Sequence, residues 1–199
     1  MKIFKTKKGT LVYHPTPKCG CTSMKQTILN LAGYKGKYDP IEDSFPHAKS
    51  SIGLPTEKFY QHNADYKICI IRNPVSRFIS GYSNRVLFHR DIKPVEFDLF
   101  IDNFSHWRKT SPSINFHFRP QIHFIGSDPN YYTNIFWTKE IPKAIDFVSS
   151  LFEKNAVYVR EQTGGSNQKP VPTEQQIEKI KRIYSKDYEF IEKWRKNDK

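Results

Sequence analysis

Short apolar segments alternate with segments of helical periodicity along this chain. The clearest apolar segment is the near-continuous run Tyr66–Arg72, which predicts a buried parallel strand. Two further apolar runs, Asn134–Trp137 and Ala156–Val159, also predict strands. Ile3–Phe4 and Leu11–Tyr13 flank a Lys-Lys-Gly-Thr turn, and this pattern predicts a hairpin.

Apolar residues at helical spacing predict five helices along the same chain. The second of them begins at Pro74, a residue type favoured in the first turn of a helix. Strands that alternate with helices are typical of an α/β fold with a largely parallel sheet. We therefore expect a single domain over residues 1–199, with a P-loop-like central parallel sheet flanked by helices. The predicted helices cover residues 24–31, 74–86, 95–107, 140–152 and 173–194.

The composition limits the class of protein. A length of 199 residues suits one domain with a sizeable core, and 15% aromatic residues supply bulky core material. The sequence has no apolar run of about 18 residues, so we expect no transmembrane helix. The N-terminus, residues 1–5, lacks the apolar stretch of a signal peptide. Three cysteines are an odd number for a disulfide framework, and we expect a reducing, cytoplasmic compartment.

Positive charge is concentrated in the N-terminal half. The formal net charge is +12, of which residues 1–90 carry +10. This distribution favours a multiply anionic ligand or substrate. Nucleic acid is the competing interpretation, but the sequence shows no helix-turn-helix, zinc-finger or RNA-recognition signature, and no nucleic-acid partner is expected.

The most informative segment is Pro17-Lys18-Cys19-Gly20-Cys21-Thr22-Ser23, called loop 17–23 below. It lies between a predicted strand and a predicted helix, where backbone N–H groups and the helix dipole favour an anion. A connecting turn without function is the simpler interpretation. Nucleotide-binding P-loops place Lys after the second Gly, whereas Lys18 precedes Gly20. A zinc site at the two cysteines is disfavoured, because no second pair supplies further ligands, and we predict no metal.

A second group of basic and hydroxyl side chains follows the strand at 66–72. Arg72 closes this strand, and Arg77 and Ser80 lie three residues apart on the next predicted helix. Ligands of open α/β sheets bind at the carboxyl ends of strands, and the guanidinium fork matches phosphate oxygens. A P-loop kinase needs a carboxylate for Mg²⁺ at the end of a second strand. Arg72 in that place argues against a kinase.

These two segments resemble the sulfotransferases. Pro17-Lys18-x-Gly20-x-Thr22-Ser23 is similar to the family's 5′-phosphosulfate loop, and Arg72-x-Pro74-x-x-Arg77-x-x-Ser80-x-Tyr82 to its 3′-phosphate motif. The segment His117-Phe118-Arg119-Pro120-Gln121 further resembles the carbohydrate sulfotransferases, of Golgi type and bacterial, as does the region from Asn167 to Asp187. The resemblance implies 3′-phosphoadenosine-5′-phosphosulfate (PAPS) as donor, 3′,5′-adenosine bisphosphate (PAP) as product, and no metal.

The resemblance also implies roles for residues. Lys18, Thr22 and Ser23, with the backbone of residues 19–22 (Cys19, Gly20, Cys21 and Thr22), would hold the 5′-phosphosulfate, and Lys18 would stabilise the leaving oxygen. Arg72 and Ser80 would hold the 3′-phosphate, with Arg77 close by or in a supporting position. Asn167 would lie in a region that closes over the nucleotide.

The resemblance identifies the base that deprotonates the acceptor hydroxyl less closely than it identifies the donor-binding residues. Family members use His or Glu from the segment after the first helix, and His47 is our first choice because imidazole titrates near neutral pH. Glu42 is second, and His62, His117 and His123 remain possible. The expected acceptor is a carbohydrate or glycolipid. A tyrosyl-protein or small-molecule acceptor, and a basic nucleotide- or nucleic-acid-binding module without catalysis, are the alternatives.

Overall fold

The structure is a computed structural model that describes residues 3–33, 63–156 and 169–197. Within those ranges the chain forms four strands and nine α-helices. A π-helical segment, Ser83–Phe88, continues α2, and 3₁₀ turns lie at Pro129–Tyr131 and Thr138–Glu140. In chain order the strands and helices are β1 (Ile3–Thr6), β2 (Gly9–His14), α1 (Cys21–Leu31), β3 (Tyr66–Ile71), α2 (Pro74–Tyr82), α3 (Phe97–Asp102), α4 (Phe104–Thr110), α5 (Pro112–His117), α6 (Ile122–Ile125), β4 (Asn134–Trp137), α7 (Ile141–Phe152), α8 (Glu174–Ile183) and α9 (Ser185–Asn197).

The four strands form one sheet in the order β1-β2-β3-β4. β1 and β2 are antiparallel, which confirms the predicted hairpin. β3 pairs in parallel with both β2 and β4, so the predicted parallel strand lies inside the sheet. The α/β class with a largely parallel sheet is therefore confirmed. The extent of the single domain, residues 1–199, stays a prediction.

The chain divides into two compact units, and each is described by itself. Unit 1 comprises Met1–Ile71 and Gln121–Gln162 and contains the whole sheet with α1, α6 and α7. Its core joins alternate residues of β2 and β3 to apolar faces of α1 and α7. Members of this core include Leu11, Tyr13, Ile68, Ile70, Met24, Ile28, Ala144 and Val148.

Unit 2 comprises Arg72–Pro120 and Thr163–Lys199, and its described part is helical. Its core is an aromatic cluster around Phe78, which lies 1% exposed on α2. Edge-to-face and tilted ring pairs of this kind stabilise a core beyond their buried area. Rings within 6.2 Å of the Phe78 ring belong to Phe97, Phe100, Phe104, Phe118 and Tyr184.

Two predicted helices are each divided in the structure. The helix expected over 95–107 is interrupted at Asn103, whose side-chain amide donates to the Leu99 carbonyl at 3.0 Å and so competes with the helical pattern. The helix expected over 173–194 begins as predicted, with a capping box at Thr173, but breaks at Tyr184. The strand prediction at 156–159 falls mainly outside the described residues.

Candidate active site

Loop 17–23 connects β2 to α1 through a tight turn in unit 1. The Cys19 N–H donates to the Thr16 carbonyl at 3.2 Å, and Lys18 and Gly20 have φ angles of 66° and 72°. Glycine adopts this left-handed region without steric cost. A Cβ at Gly20 would also lie 2.5 Å from Cδ1 of Ile141. Glycine is therefore favoured at position 20 by both its backbone conformation and the space around it.

The N-terminus of α1 is open to an anion. Its N-cap is Gly20, so no side chain caps the helix, and its first turn contains no acidic residue. The first N–H groups of a helix have no partner within the helix, and they carry the positive end of its dipole. An anion beside these groups is the common solution in other proteins. The 5′-phosphosulfate site at this helix N-terminus stays a prediction.

A buried hydroxyl precedes the loop. Thr16 is 0% exposed, and its Oγ1 has no hydrogen-bond partner among the described residues. An unsatisfied buried hydroxyl costs about 1–3 kcal/mol, so it is uncommon unless a ligand or water completes it. Thr16 was not among the predicted site residues, because a threonine in a turn carries no distinctive sequence signal.

The predicted residues of the loop differ in exposure. Lys18 and Thr22 are half-buried, whereas Ser23 is 5% exposed and its carbonyl accepts from the Thr27 hydroxyl at 2.9 Å. Cys19 is fully buried, and its thiol donates to Oε1 of Gln121 at 3.4 Å. Gln121 is itself 2% exposed. The Cys19–Gln121 contact fixes the middle of the loop. Because the thiol is used in this contact, Cys19 would contact an anion through its backbone N–H.

Lys25 is a buried cation that the sequence analysis missed. It lies on α1, two residues after Ser23, and is 1% exposed. Burial lowers its pKa, and the neighbouring Cys21 partly offsets the shift. A lysine among polar helix positions normally reaches solvent, so nothing in the pattern predicts its burial. It places a further positive group close to the N-terminus of α1.

The second predicted group lies in unit 2. Arg72 is half-buried, and its Nε donates to the Ser76 hydroxyl at 3.0 Å. Asn73 caps α2 by accepting the Ser76 N–H at 3.1 Å. Ser80 lies on the same helix and is half-buried. Arg72 and Ser80 thus remain partly accessible, as a phosphate site requires.

Arg77 has a different environment. Its side chain is 2% exposed, and Nη1 and Nη2 donate to the carbonyls of Arg119 and His117 at 2.8 Å and 3.1 Å. The Tyr184 hydroxyl donates to the carbonyl between them, that of Phe118, at 2.8 Å. Three consecutive carbonyls are therefore held by two buried side chains. The structure thus shows Arg77 donating to backbone carbonyls, and its part in the phosphate site stays a prediction.

Four residues named from the sequence, His47, Glu42, His62 and Asn167, lie outside the described residues. A groove of about 300 Å³ in unit 2 is lined by side chains that include Tyr82, Glu96 and Lys169, and by none of the predicted site residues.

Within residues 3–33, 63–156 and 169–197, no three His, Cys, Asp or Glu side chains cluster as a metal site would require. In the same ranges, no helix combines the length and apolar character needed to cross a bilayer.

Comparison with known proteins identifies the class. The family model described as "Sulfotransferase family" matches residues 1–192, nearly the whole chain. The chain therefore belongs to the sulfotransferase family. This agrees with a lysine-containing loop at the open end of α1 and a second basic group after β3.

The curated relatives that match are named carbohydrate sulfotransferase 10. The protein from Danio rerio is 28% identical over 100 residues, which are 47% of this chain and 27% of the relative. Those from Gallus gallus and Xenopus laevis are 27% and 25% identical, over the same share of this chain and 28% of each relative. The match thus spans little more than a quarter of these relatives. No solved structure matches this chain.

Proposed function

We propose that this protein transfers a sulfuryl group from PAPS to an acceptor hydroxyl by in-line displacement at sulfur. The observation that carries the proposal is the open N-terminus of α1, which is preceded by Lys18 and Gly20 in left-handed conformations. Membership of the sulfotransferase family supports the same reaction class. The donor would bring two anionic ends, which suits the presence of two separate basic groups in this chain.

Loop 17–23 would hold the 5′-phosphosulfate. Its contributions are the N–H groups at the start of α1, the Thr22 and Ser23 hydroxyls, and the Lys18 ammonium. The unsatisfied Oγ1 of Thr16 fits a bound anion or its hydration shell. Lys18 would stabilise the negative charge that develops on the oxygen bridging sulfur and phosphorus. PAPS itself supplies the activated sulfuryl group.

The second basic group would hold the 3′-phosphate. Arg72 offers a guanidinium, and Ser80 offers a hydroxyl on α2. Arg77 would support them by fixing the backbone at residues 117–119. Asn167 is retained as a candidate ligand, and His47 and Glu42 as candidate bases, on the family resemblance alone. The reaction needs no metal in this proposal.

The proposed acceptor is a hydroxyl of a carbohydrate or glycolipid. The support is that the matched relatives are named as carbohydrate sulfotransferases. A cytoplasmic location remains a prediction from cysteine usage.

A ligand-binding experiment tests the proposal before the acceptor is known. Thermal unfolding is measured with PAP, ATP, ATP with Mg²⁺, and a single-stranded oligonucleotide, because a ligand that binds the folded state raises its stability. We expect metal-independent stabilisation by PAP above that by ATP. Preferential stabilisation by the oligonucleotide would instead support a nucleic-acid-binding module. Radiolabelled PAPS on a glycan array then identifies the acceptor.

A further inference from the structure

Exposed apolar side chains are concentrated around the groove in unit 2. In the described part of the chain four large apolar side chains are exposed, and three of them, Phe88, Leu99 and Val171, belong to unit 2. Exposed apolar residues that are scattered singly are normal on a protein surface, so their positions decide whether they matter. Phe88 directly follows Leu87 and Val171 directly follows Pro170, and both Leu87 and Pro170 line the groove.

The groove brings two distant segments of unit 2 together. It is lined by residues between 82 and 97 and by Lys169 and Pro170, and most of its lining side chains are apolar. Leu99 lies three residues after the groove residue Glu96, a spacing that makes two side chains neighbours at the start of a helix. Phe88, Leu99 and Val171 therefore border one groove, and they are called the apolar rim below.

Val171 is presented by a stiff segment. Its side chain is 92% exposed, and it lies between Pro170 and Pro172, whose rings fix the backbone φ on both sides. The next residue, Thr173, is anchored by the capping box of α8. A side chain held in this way loses little conformational entropy when a partner covers it.

Phe88 is presented by a turn that is also fixed. It is 54% exposed at the end of the π-helical segment. After it the His89 N–H donates to the Asn84 carbonyl and the Asp91 N–H to the Arg85 carbonyl, both at 2.9 Å. An ion pair of 2.5 Å between Arg85 Nε and Asp91 Oδ2 closes the same turn. The exposure of Phe88 is thus a feature of a well-connected part of unit 2.

Exposed cations lie among the residues of the apolar rim. Arg90 and Lys93 follow Phe88 in the chain, and Lys169 lines the groove two residues before Val171; all three cations are exposed. Within residues 88–97 and 169–171, Glu96 is the one exposed carboxylate, because the carboxylate at position 91 is half-buried in its ion pair. The surface around the groove therefore combines apolar side chains with an excess of positive charge.

We propose that this surface docks on a lipid bilayer that carries anionic lipids. Phe88 and Val171 insert between the headgroups, and Arg90, Lys93 and Lys169 face the negative charge of those headgroups. Basic residues beside exposed apolar side chains are the pattern of proteins that lie on a membrane surface. Lysine is depleted at protein–protein interfaces, which argues against a protein partner here. This docking requires neither PAPS nor an acceptor, so it stands apart from the proposed sulfuryl transfer.

Co-sedimentation of the full chain with vesicles tests the docking directly. The vesicles are phosphatidylcholine alone and phosphatidylcholine mixed with phosphatidylserine. We expect the protein to bind the mixed vesicles more strongly, and we expect this binding to weaken as the salt concentration rises, because salt screens exposed charges. Failure to bind the mixed vesicles at low salt would overturn the proposal, whether or not the protein uses PAPS.

A double variant tests the apolar rim. We expect Phe88→Ser with Val171→Ser to lower the partition coefficient on mixed vesicles at least about tenfold, because two apolar side chains no longer leave water. Ile3→Ser is the matched control, since Ile3 is 48% exposed but lies on β1 in unit 1. Thermal unfolding of the double variant should match that of wild type, since both side chains are exposed. Binding by a folded double variant within about twofold of wild type would overturn the proposal.

A second pair of variants tests the charges. We expect Arg90→Gln and Lys93→Gln each to lower the partition coefficient about fivefold, as the loss of one cation near an anionic surface predicts. Lys7→Gln with Lys8→Gln, at the exposed hairpin turn of unit 1, is the control. A loss of binding confined to the hairpin variant would overturn the proposal by assigning adsorption to that turn. Sedimentation velocity without vesicles supplies the remaining check: a dimer that Phe88→Ser with Val171→Ser abolishes would assign the surface to a second copy of the chain instead.

Discussion

The guanidinium of Arg77 donates to the carbonyl oxygen of Arg119 at 2.8 Å, across 42 residues of sequence. A second donor of the same fork reaches the carbonyl of His117 at 3.1 Å. The planar guanidinium can satisfy both carbonyls at once, whereas an ammonium is a single point charge. Arg77 therefore fixes the backbone that carries His117.

Replacing Arg77 tests this link. We expect Arg77→Met to lower the free energy of unfolding by roughly 2–4 kcal/mol, because two buried carbonyls lose a charged donor. Arg77→Lys should lose less stability than Arg77→Met, since the lysine ammonium can donate to one of the two carbonyls. Urea denaturation measures both, with Arg182→Lys on the exposed surface of α8 as control. Equal stability of Arg77→Met and wild type would contradict the structural role.

Removing the ammonium of Lys18 should abolish most activity without unfolding the protein. Lys18 has a positive φ, and alanine bears about the same strain there as lysine, so we expect little change in stability for Lys18→Ala. Loss of one group that stabilises the leaving oxygen should lower kcat about 10²- to 10³-fold. Lys7→Ala, at the exposed hairpin turn, is the matched charge control. Near-normal turnover by Lys18→Ala would reject its role.

Substitution of Gly20 separates backbone strain from crowding. Alanine at a positive φ costs about 1–2 kcal/mol, and Gly33 provides the control because it has φ 88° with nothing within 4 Å of an added Cβ. We expect Gly20→Ala to destabilise at least as much as Gly33→Ala, since its Cβ also meets Cδ1 of Ile141. An Ile141→Val background removes that atom and should reduce the difference. A smaller loss at Gly20 than at Gly33 would contradict the geometry.

The strands and the loop were predictable because local patterns determine them. The run Tyr66–Ile71 is largely apolar because residues 68–71 of the inner strand β3 are buried. Gly20 in loop 17–23 suits the left-handed φ of its position. The helix break at Tyr184 was not predictable, because the Tyr184 hydroxyl is held by a hydrogen bond to the carbonyl of Phe118, 66 residues away. The burial of Lys25 and the contact between Cys19 and Gln121 likewise depend on tertiary packing.

The buried hydroxyl of Tyr184 should make the free energy of unfolding fall at high pH. Burial raises the pKa of its hydroxyl well above the usual value of 10. Its protonated form therefore stabilises the folded state fully below pH 10, and this contribution is lost as the pH rises above 10. Tyr184→Phe should lose about 1 kcal/mol at pH 7 with its hydrogen bond to the Phe118 carbonyl. Urea denaturation at pH 7, 10 and 11 should show a shallower alkaline decline in the variant, and an identical decline would exclude this role.

Thr16 offers a test in which stability and ligand binding move in opposite directions. Its buried Oγ1 has no partner among the described residues, so Thr16→Val should raise the free energy of unfolding of the ligand-free protein by about 1 kcal/mol. If this hydroxyl helps to hold an anion at loop 17–23, the same variant should be stabilised less by PAP than wild type is.

Trp107→Phe is the control for Thr16→Val. The indole N–H of Trp107 is also buried and has no partner among the described residues, but Trp107 lies on α4 in unit 2, away from loop 17–23 in the sequence. We expect Trp107→Phe to leave the PAP-induced shift unchanged. Thermal unfolding across a PAP titration measures both quantities for each variant. An unchanged PAP shift in Thr16→Val would show that its hydroxyl takes no part in the anion site, since removing a needed ligand group must weaken binding.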